Sequence, residues 1–245
     1  MAIEHAYAGG YKALLVDKLF SEFSGRPARV LDLGCGAAAH FAAALERYSN
    51  VSYTGVEQDR AALAEARETI GSLPNVEVQE GSGEMFQGHG FDMVISLSAL
   101  EHVKRLNDFL AVSVRAAREG GRVMHRYDLG HALSPATLGE RLRVAVARRV
   151  PALVPTARFT TYPDRNAIVS RLAELGVREI QISQSQMPSL KAAMNLLNSE
   201  SDDWLALGSR IVELDQALWD QLGSRLEPEV RDRLFPCITI SGYRA

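Results

Sequence analysis

Val30-Leu-Asp-Leu-Gly-Cys-Gly-Ala37 is the stretch on which the reading of this chain turns. Val30, Leu31 and Leu33 form an apolar run that holds one acid, Asp32, and the run stops at Gly34 and Gly36. An alanine-rich helical segment follows from Ala37 to Tyr48. Apolar run, glycine pair and helix together read as a buried strand, a tight turn and a helix start. Glycine at both turn positions frees the backbone and lets a ligand approach, because no Cβ stands in the way. Unpaired N–H groups at the helix start then point at whatever sits there.

Working outward, the next strand-like run is Val51 to Val56, which ends in Glu57. That acid lies about 20 residues past the turn, where a Rossmann-like unit places a carboxylate on ribose hydroxyls. Asn75 to Glu80 reads as a third strand, followed by Gly81-Ser-Gly-Glu84. Phe91-Asp-Met-Val-Ile-Ser-Leu-Ser-Ala-Leu-Glu-His-Val103 then gives a fourth strand and the opening of the next helix.

In this order the segments resemble the motifs of the class I S-adenosylmethionine-dependent methyltransferases, with Glu101-His102-Val103 as in many small-molecule members. The resemblance covers residues 28–128 well and the remainder in outline. It implies S-adenosyl-L-methionine as cofactor. Asp32, Gly34 and Gly36 would hold its methionine end, with Cys35 filling the middle of Gly-x-Gly as is common in the family. Glu57 would bind both ribose hydroxyls, and Gln58 would lie beside the adenosine. The loop with Ser82 and Glu84 would border the adenine, and Ser96 on the fourth strand completes the cofactor-facing set. Ala39 stands where a dinucleotide-binding Gly-x-Gly-x-x-Gly has its third glycine, a substitution that NAD sites tolerate. Asp32 argues against NAD, since a carboxylate there suits an amino group better than a pyrophosphate. An NAD-dependent oxidoreductase is therefore the rival enzyme, and a non-catalytic methyltransferase-like binding domain is the rival outside catalysis.

At 245 residues the chain suits one domain over 1–245, with an N-terminal helix within 1–25 and helical insertions at 129–161 and 185–235. Alternating strands and helices predict an α/β fold: a Rossmann-like doubly wound sheet, mostly parallel, with helices on both faces. The resemblance adds an antiparallel last strand, which residues 236–243 would supply as an edge or hairpin partner. The N-terminal helix is expected over 10–23, and the other expected helices are 59–70, 103–118 and 164–175, with a Gly120-Gly121 turn leading into a strand from Arg122 to Tyr127. A net charge of −3 gives no global field for nucleic acid. Two distant cysteines, Cys35 and Cys237, show neither a metal pattern nor a disulfide framework. With no secretory signal and no transmembrane run, the expectation is a cytoplasmic protein. Leu207, Ile211, Leu214, Leu218 and Leu222 form a stripe that wants a partner, either this domain or a second subunit in a homodimer.

Methyl transfer asks the protein chiefly to align a nucleophile with an activated methyl, and a nearby base helps hydroxyl or ammonium acceptors. Candidates gather where strands end: His102 after the fourth, and His125 and Tyr127 on one face of the fifth. His125 reads equally as a hydrogen-bonded core histidine, and His102 as a helix cap. His125, Asp128 and His131 have a spacing that a metal accepts, yet nothing else strengthens it, so no metal is assigned. The segment His125 to His131 resembles one in some bacterial small-molecule and saccharide methyltransferases. His5, Tyr7 and Tyr11 are placed to fold over the cofactor. From Arg141 to Pro163 there is no acid, while Arg141, Arg143, Arg148, Arg149 and Arg158 flank a stripe of Leu138, Leu142, Val146 and Val150. That is a solvated cap helix, a site for an anionic acceptor, or an attachment to an acidic membrane surface. The acceptor expected is a small molecule, O- or N-methylated.

Overall fold

In the computed structural model, residues 11–129, 161, 163–186 and 203–245 are described, together with positions 139, 142, 145, 146, 149 and 150. Strands β1 (Ala28–Leu33), β2 (Val51–Glu57), β3 (Val76–Glu80), β4 (Phe91–Leu97) and β5 (Ala117–Asp128) run parallel to one another. β7 (Cys237–Arg244) is antiparallel to both β5 and β6 (Val177–Ser185). The sheet order is β3-β2-β1-β4-β5-β7-β6. Strand order reverses between β1 and β4, which opens a crevice at their carboxyl ends. Of the two places expected for the last strand, edge or hairpin partner, it takes the second: β7 is internal, antiparallel to β6 and β5, and β3 and β6 are the edges.

Helices cover both faces. On one side α1 (Tyr11–Ser21), α2 (Ala42–Arg47) and α3 (Arg60–Ile70) pack on the sheet. Val16, Phe20, Phe41, Leu45 and Ala66 meet Val30, Tyr53, Met93, Ile95 and Met124 there. On the other side lie α4 (Leu106–Ala116) and α5 (Arg165–Glu174). Phe109, Leu110, Val114, Ile168 and Leu172 meet Leu31, Leu33, Val94, Val123, Tyr127 and Ile240. Successive strand residues join opposite cores, as a two-residue repeat requires.

Local chemistry fixes the helix starts. Asp59 accepts the Ala61 and Ala62 N–H groups at 3.0 and 2.9 Å and caps α3, while Asp164 accepts from Ala167 at 2.8 Å and caps α5. α4 begins at Leu106 instead of residue 103, because Val103 is still extended. β5 begins at Ala117 and runs through the glycine pair that had been read as a turn. The pair survives as an irregularity inside the strand: Gly120 has φ 68°, and the pairing with β4 shifts between Phe91 and Met93.

Among the described residues two more helices, α6 (Asp203–Leu222) and α7 (Pro228–Leu234), lie between β6 and β7 in sequence. α6 packs on α1 and β6. Its buried Asp215 accepts the Tyr11 hydroxyl and the Gln186 N–H, each at 3.0 Å. Leu214, Leu218 and Leu222 of the stripe are instead exposed. Among the described residues no helix is long and apolar enough to cross a membrane.

Candidate cofactor cleft

A cleft of about 860 Å³ opens at the carboxyl ends of β1 and β4, where the strand order reverses. The turn after β1 supplies one wall through Gly34, Cys35, Gly36 and Ala37. The end of β2 supplies Glu57, Gln58 and Asp59, and the loop after β3 supplies Gly81, Ser82, Gly83 and Glu84. Leu97, Ser98 and Ala99 follow β4, with His102, Val103 and Lys104 beyond them. Lys12 of α1 and Phe109 of α4 complete the lining.

Three left-handed residues shape the turn: Gly34 (φ 81°), Gly36 (φ 57°) and Ala38 (φ 53°). The chain consequently does not run as one helix from 37 to 48. A short 3-10 turn, Ala39–Phe41, precedes α2. A Cβ on Gly34 would stand 2.7 Å from Ala99 Cβ, so this glycine lets the ends of β1 and β4 approach. A Cβ on Gly36 would meet no protein atom within 4 Å, so this glycine leaves space for a ligand.

Glu57 holds that turn from across β2. Its Oε2 accepts the Gly36 N–H at 2.8 Å, and its Oε1 accepts the Gln58 and Asp59 N–H groups, each at 2.8 Å. Three donors fix the carboxylate at the cleft wall. A carboxylate has about four acceptor positions, so about one remains for a hydroxyl donor.

Asp32 sits under the turn, 1% exposed, and does not itself line the cleft. Tyr53 donates its hydroxyl to Oδ2 at 3.1 Å, while Oδ1 has no hydrogen-bond partner among the described residues. Burial pushes the carboxyl up to about 7, opposed by the Tyr53 hydrogen bond and the Lys12 ammonium. Burial in turn lowers the Lys12 pKa, against the pull of Glu101 and Asp32. Lys12 carries no sequence signal beyond its place on an amphipathic helix, and docking of α1 brings it to the cleft. Tyr11 beside it bonds Asp215 and is absent from the lining, whereas His5 and Tyr7 lie outside the described residues.

The other expected ligands divide. Gln58, Ser82, Glu84 and Cys35 line the cleft. Ser82 Oγ accepts the Glu84 N–H at 3.3 Å, and Arg105 donates to both Glu84 oxygens at 3.0 Å from its N–H and its Nε. Burial raises the Cys35 thiol pKa, which makes it a neutral packing group.

Ser96, His125 and Tyr127 fall elsewhere, and their expected roles are corrected. Ser96 Oγ lies 2.8 Å from His125 Nδ1, and Ser113 Oγ lies 3.0 Å from Nε2. Ser96, His125 and Tyr127 are all 0% exposed and absent from the cleft lining. Burial lowers the His125 pKa to about 3. Strand alternation is the cause. His125 and Tyr127 do share a face, but it is the α4/α5 face, and Arg126 points to the α1 side, with its guanidinium 5.0 Å from the centroid of the Tyr11 ring. With both ring nitrogens occupied, His125 is also excluded as a metal ligand. Of the three base candidates, His102 alone lines the cleft, and it is exposed.

Glycine turn, β2 acid and sheet order together give the Rossmann-like arrangement that the methyltransferase resemblance implies. Residues 31–125 match the family model described as a methyltransferase domain. A phthiotriol/phenolphthiotriol dimycocerosates methyltransferase of Mycobacterium ulcerans is 29% identical over 106 residues, which span 42% of this chain and 38% of that protein. The fold is similar to Haemonchus contortus phosphoethanolamine N-methyltransferase 2, solved with phosphomonomethylethanolamine and S-adenosylhomocysteine (TM-score 0.60, 17% identity, 94% of this chain and 52% of that one). It is also similar to the cyclopropane synthase MmaA2 of Mycobacterium tuberculosis (TM-score 0.55, 17% identity, 94% of this chain and 81% of that one). The chain thus spans about half or less of the length of the first two of these.

Proposed function

We propose that the protein transfers the methyl group of S-adenosyl-L-methionine to an O or N nucleophile of a small molecule. The observation that carries this reading is the Glu57 carboxylate fixed beside Gly36 at the strand-order reversal, with open space where a Cβ would stand. The residues present fit the cofactor. Glu57 would take the ribose hydroxyls, Gln58 would lie beside the adenosine, and Ser82 and Glu84 would border the adenine. Gly34, Cys35 and Gly36 would lie against the methionine end. Asp32, with an unpartnered buried oxygen under the turn, would favour a positive charge above it.

The bound sulfonium supplies an already activated methyl, so the chain's task is to align the acceptor and exclude competitors. His102, which lines the cleft beyond the end of β4, would take a proton from a hydroxyl or ammonium acceptor. Of the two acceptor atoms, nitrogen is the one that a similar structure's name carries. One solved structure holds an amine bearing a phosphate, and the M. ulcerans protein is named for dimycocerosates. Two buried free cysteines are compatible with a cytoplasmic setting.

Titration calorimetry with S-adenosylhomocysteine and with NADH tests the cofactor. Binding of the former alone is expected, and binding of NADH alone would return the chain to the oxidoreductase class. Tight binding with no turnover across amine, hydroxyl and phosphate-bearing acceptors would instead support a binding domain. His102→Ala is expected to lower kcat by roughly a hundredfold with little change in cofactor affinity.

A further inference from the structure

We propose that the insertion 129–161 docks the domain on an anionic membrane surface, from which the cleft takes its acceptor. This deepens the methyltransferase reading and rests on it. Positions 139, 142, 145, 146 and 149 are helical and exposed. Leu142, Val146 and Val150 recur at four-residue spacing and are 59, 41 and 44% exposed. The Val150 N–H bonds Val146 O at 2.8 Å, continuing the helical pattern. At 3.6 residues per turn these side chains share one face. A helix serving the core would bury that stripe, whereas here it points outward.

Charge identifies the occupant. Residues 141–163 hold five arginines and no acid, in a chain whose net charge is −3. The local sign is opposite to that of the whole molecule. An exposed apolar stripe with exposed Arg149 beside it, in a stretch of sequence that carries four more arginines, suits a helix lying in a bilayer interface. Apolar side chains enter the acyl boundary while guanidinium groups stay among anionic head groups. A second copy of the chain is a poorer fit, because a two-fold contact would set this arginine-rich stretch of sequence against its own copy. Nucleic acid would engage the arginines but leave Leu142, Val146 and Val150 in water.

Placement links the surface to the chemistry. Glu101 accepts the Asp128 N–H on Oε1 at 2.8 Å and the Thr161 N–H on its backbone oxygen at 2.7 Å. Both ends of the insertion are thus tied to the residue preceding His102, which lines the cleft. A membrane contact through the insertion would bring the His102 end of the cleft toward the head groups.

Co-sedimentation with vesicles tests this. The whole chain is expected to pellet with equimolar phosphatidylglycerol–phosphatidylcholine vesicles, to leave phosphatidylcholine vesicles largely unbound, and to dissociate at high salt. Each basic residue near an anionic surface contributes roughly fivefold, so Arg148→Gln with Arg149→Gln should weaken binding about 25-fold. Leu142→Asp with Val146→Asp should abolish it. No pelleting with the anionic vesicles, equal pelleting with both kinds, or variants that bind like the parent would each overturn the proposal. So would light scattering that shows a dimer dissociated by Leu142→Asp with Val146→Asp. S-adenosylhomocysteine affinity, measured without vesicles, is expected to be the same in the parent and both double variants, which also reports that they fold. Loss of vesicle binding with that affinity retained isolates the insertion's role. A parent that binds no S-adenosylhomocysteine overturns the underlying methyltransferase reading whatever the vesicles show.

Discussion

His125 hydrogen-bonds one serine hydroxyl through each ring nitrogen, Ser96 at 2.8 Å and Ser113 at 3.0 Å. Its pKa falls from 6.5 to about 3 through burial. The sign follows directly. The unfolded chain takes up a proton near the ordinary histidine pKa and the folded one resists it. The stabilisation is therefore complete above about pH 6.5 and is lost as pH falls toward 3. His125→Ala should cost about 2–4 kcal/mol in urea unfolding at neutral pH, from the cavity and the abandoned Ser96 hydroxyl, while Ser113 keeps its bond to the Leu110 carbonyl. The same variant should lose stability less steeply than the parent on acidification below about pH 6.5, while binding S-adenosylhomocysteine with unchanged affinity. Weakened cofactor binding in a variant that is still folded would place His125 functionally in the cleft after all. Glu57 should behave in the opposite way. Hydrogen bonds to a charged acceptor are worth about 1.5–3 kcal/mol, so Glu57→Ala should raise the S-adenosylhomocysteine Kd on the order of tenfold or more. Because the carboxylate also holds the Gly36 N–H, Glu57→Gln separates charge from turn geometry: it keeps the shape and part of the hydrogen bonding.

At the scale of elements, the glycine turn makes two distinguishable predictions. Gly36→Val should abolish S-adenosylhomocysteine binding in calorimetry while thermal unfolding stays cooperative, since the new side chain enters cleft space that protein atoms leave free. Gly34→Ala should chiefly lower stability, because its Cβ would stand 2.7 Å from Ala99 Cβ in the interior. Equal effects of the two on stability and binding would refute this division. This turn was legible from sequence because everything it needs is local: Asp32, two glycines and an apolar run. Glu57 was legible because its distance from the turn is set by one strand–helix–strand unit. The face taken by β5 was not. Alternation says that His125 and Tyr127 point together, but not which helix layer they meet. That is decided by Phe109 and Ser113 arriving from α4. The place of β7 was equally hidden, because the pattern in residues 236–243 is the same whether a strand has one neighbour or two.

For the molecule as a whole, the first helix and the long C-terminal helix are joined through Asp215. Its carboxylate receives Tyr11 from α1 and the Gln186 N–H from the end of β6, so distant parts of the sequence meet at one buried acid. Tyr11→Phe should cost about 1–3 kcal/mol in global unfolding, because it leaves a buried carboxylate oxygen short of a donor. It should also weaken cofactor binding modestly through its neighbour Lys12, whose place on the cleft wall depends on how α1 docks. Unchanged stability on denaturation would show that the α1–α6 contact does not depend on this hydrogen bond. This long-range assembly is the part of the site that periodicity and spacing did not reveal.

Glu101 has a further consequence. One residue secures both roots of the 129–161 stretch, by its side chain at Asp128 and by its backbone at Thr161. The sheet therefore fixes where this stretch departs and returns. Closure entropy grows only with the logarithm of length, about 0.6 kcal/mol for each doubling. The stretch can then be lengthened, shortened or rewritten in descent like an exchangeable cassette. Such a chain can acquire new acceptors by replacing its middle while the cofactor machinery on either side is inherited intact.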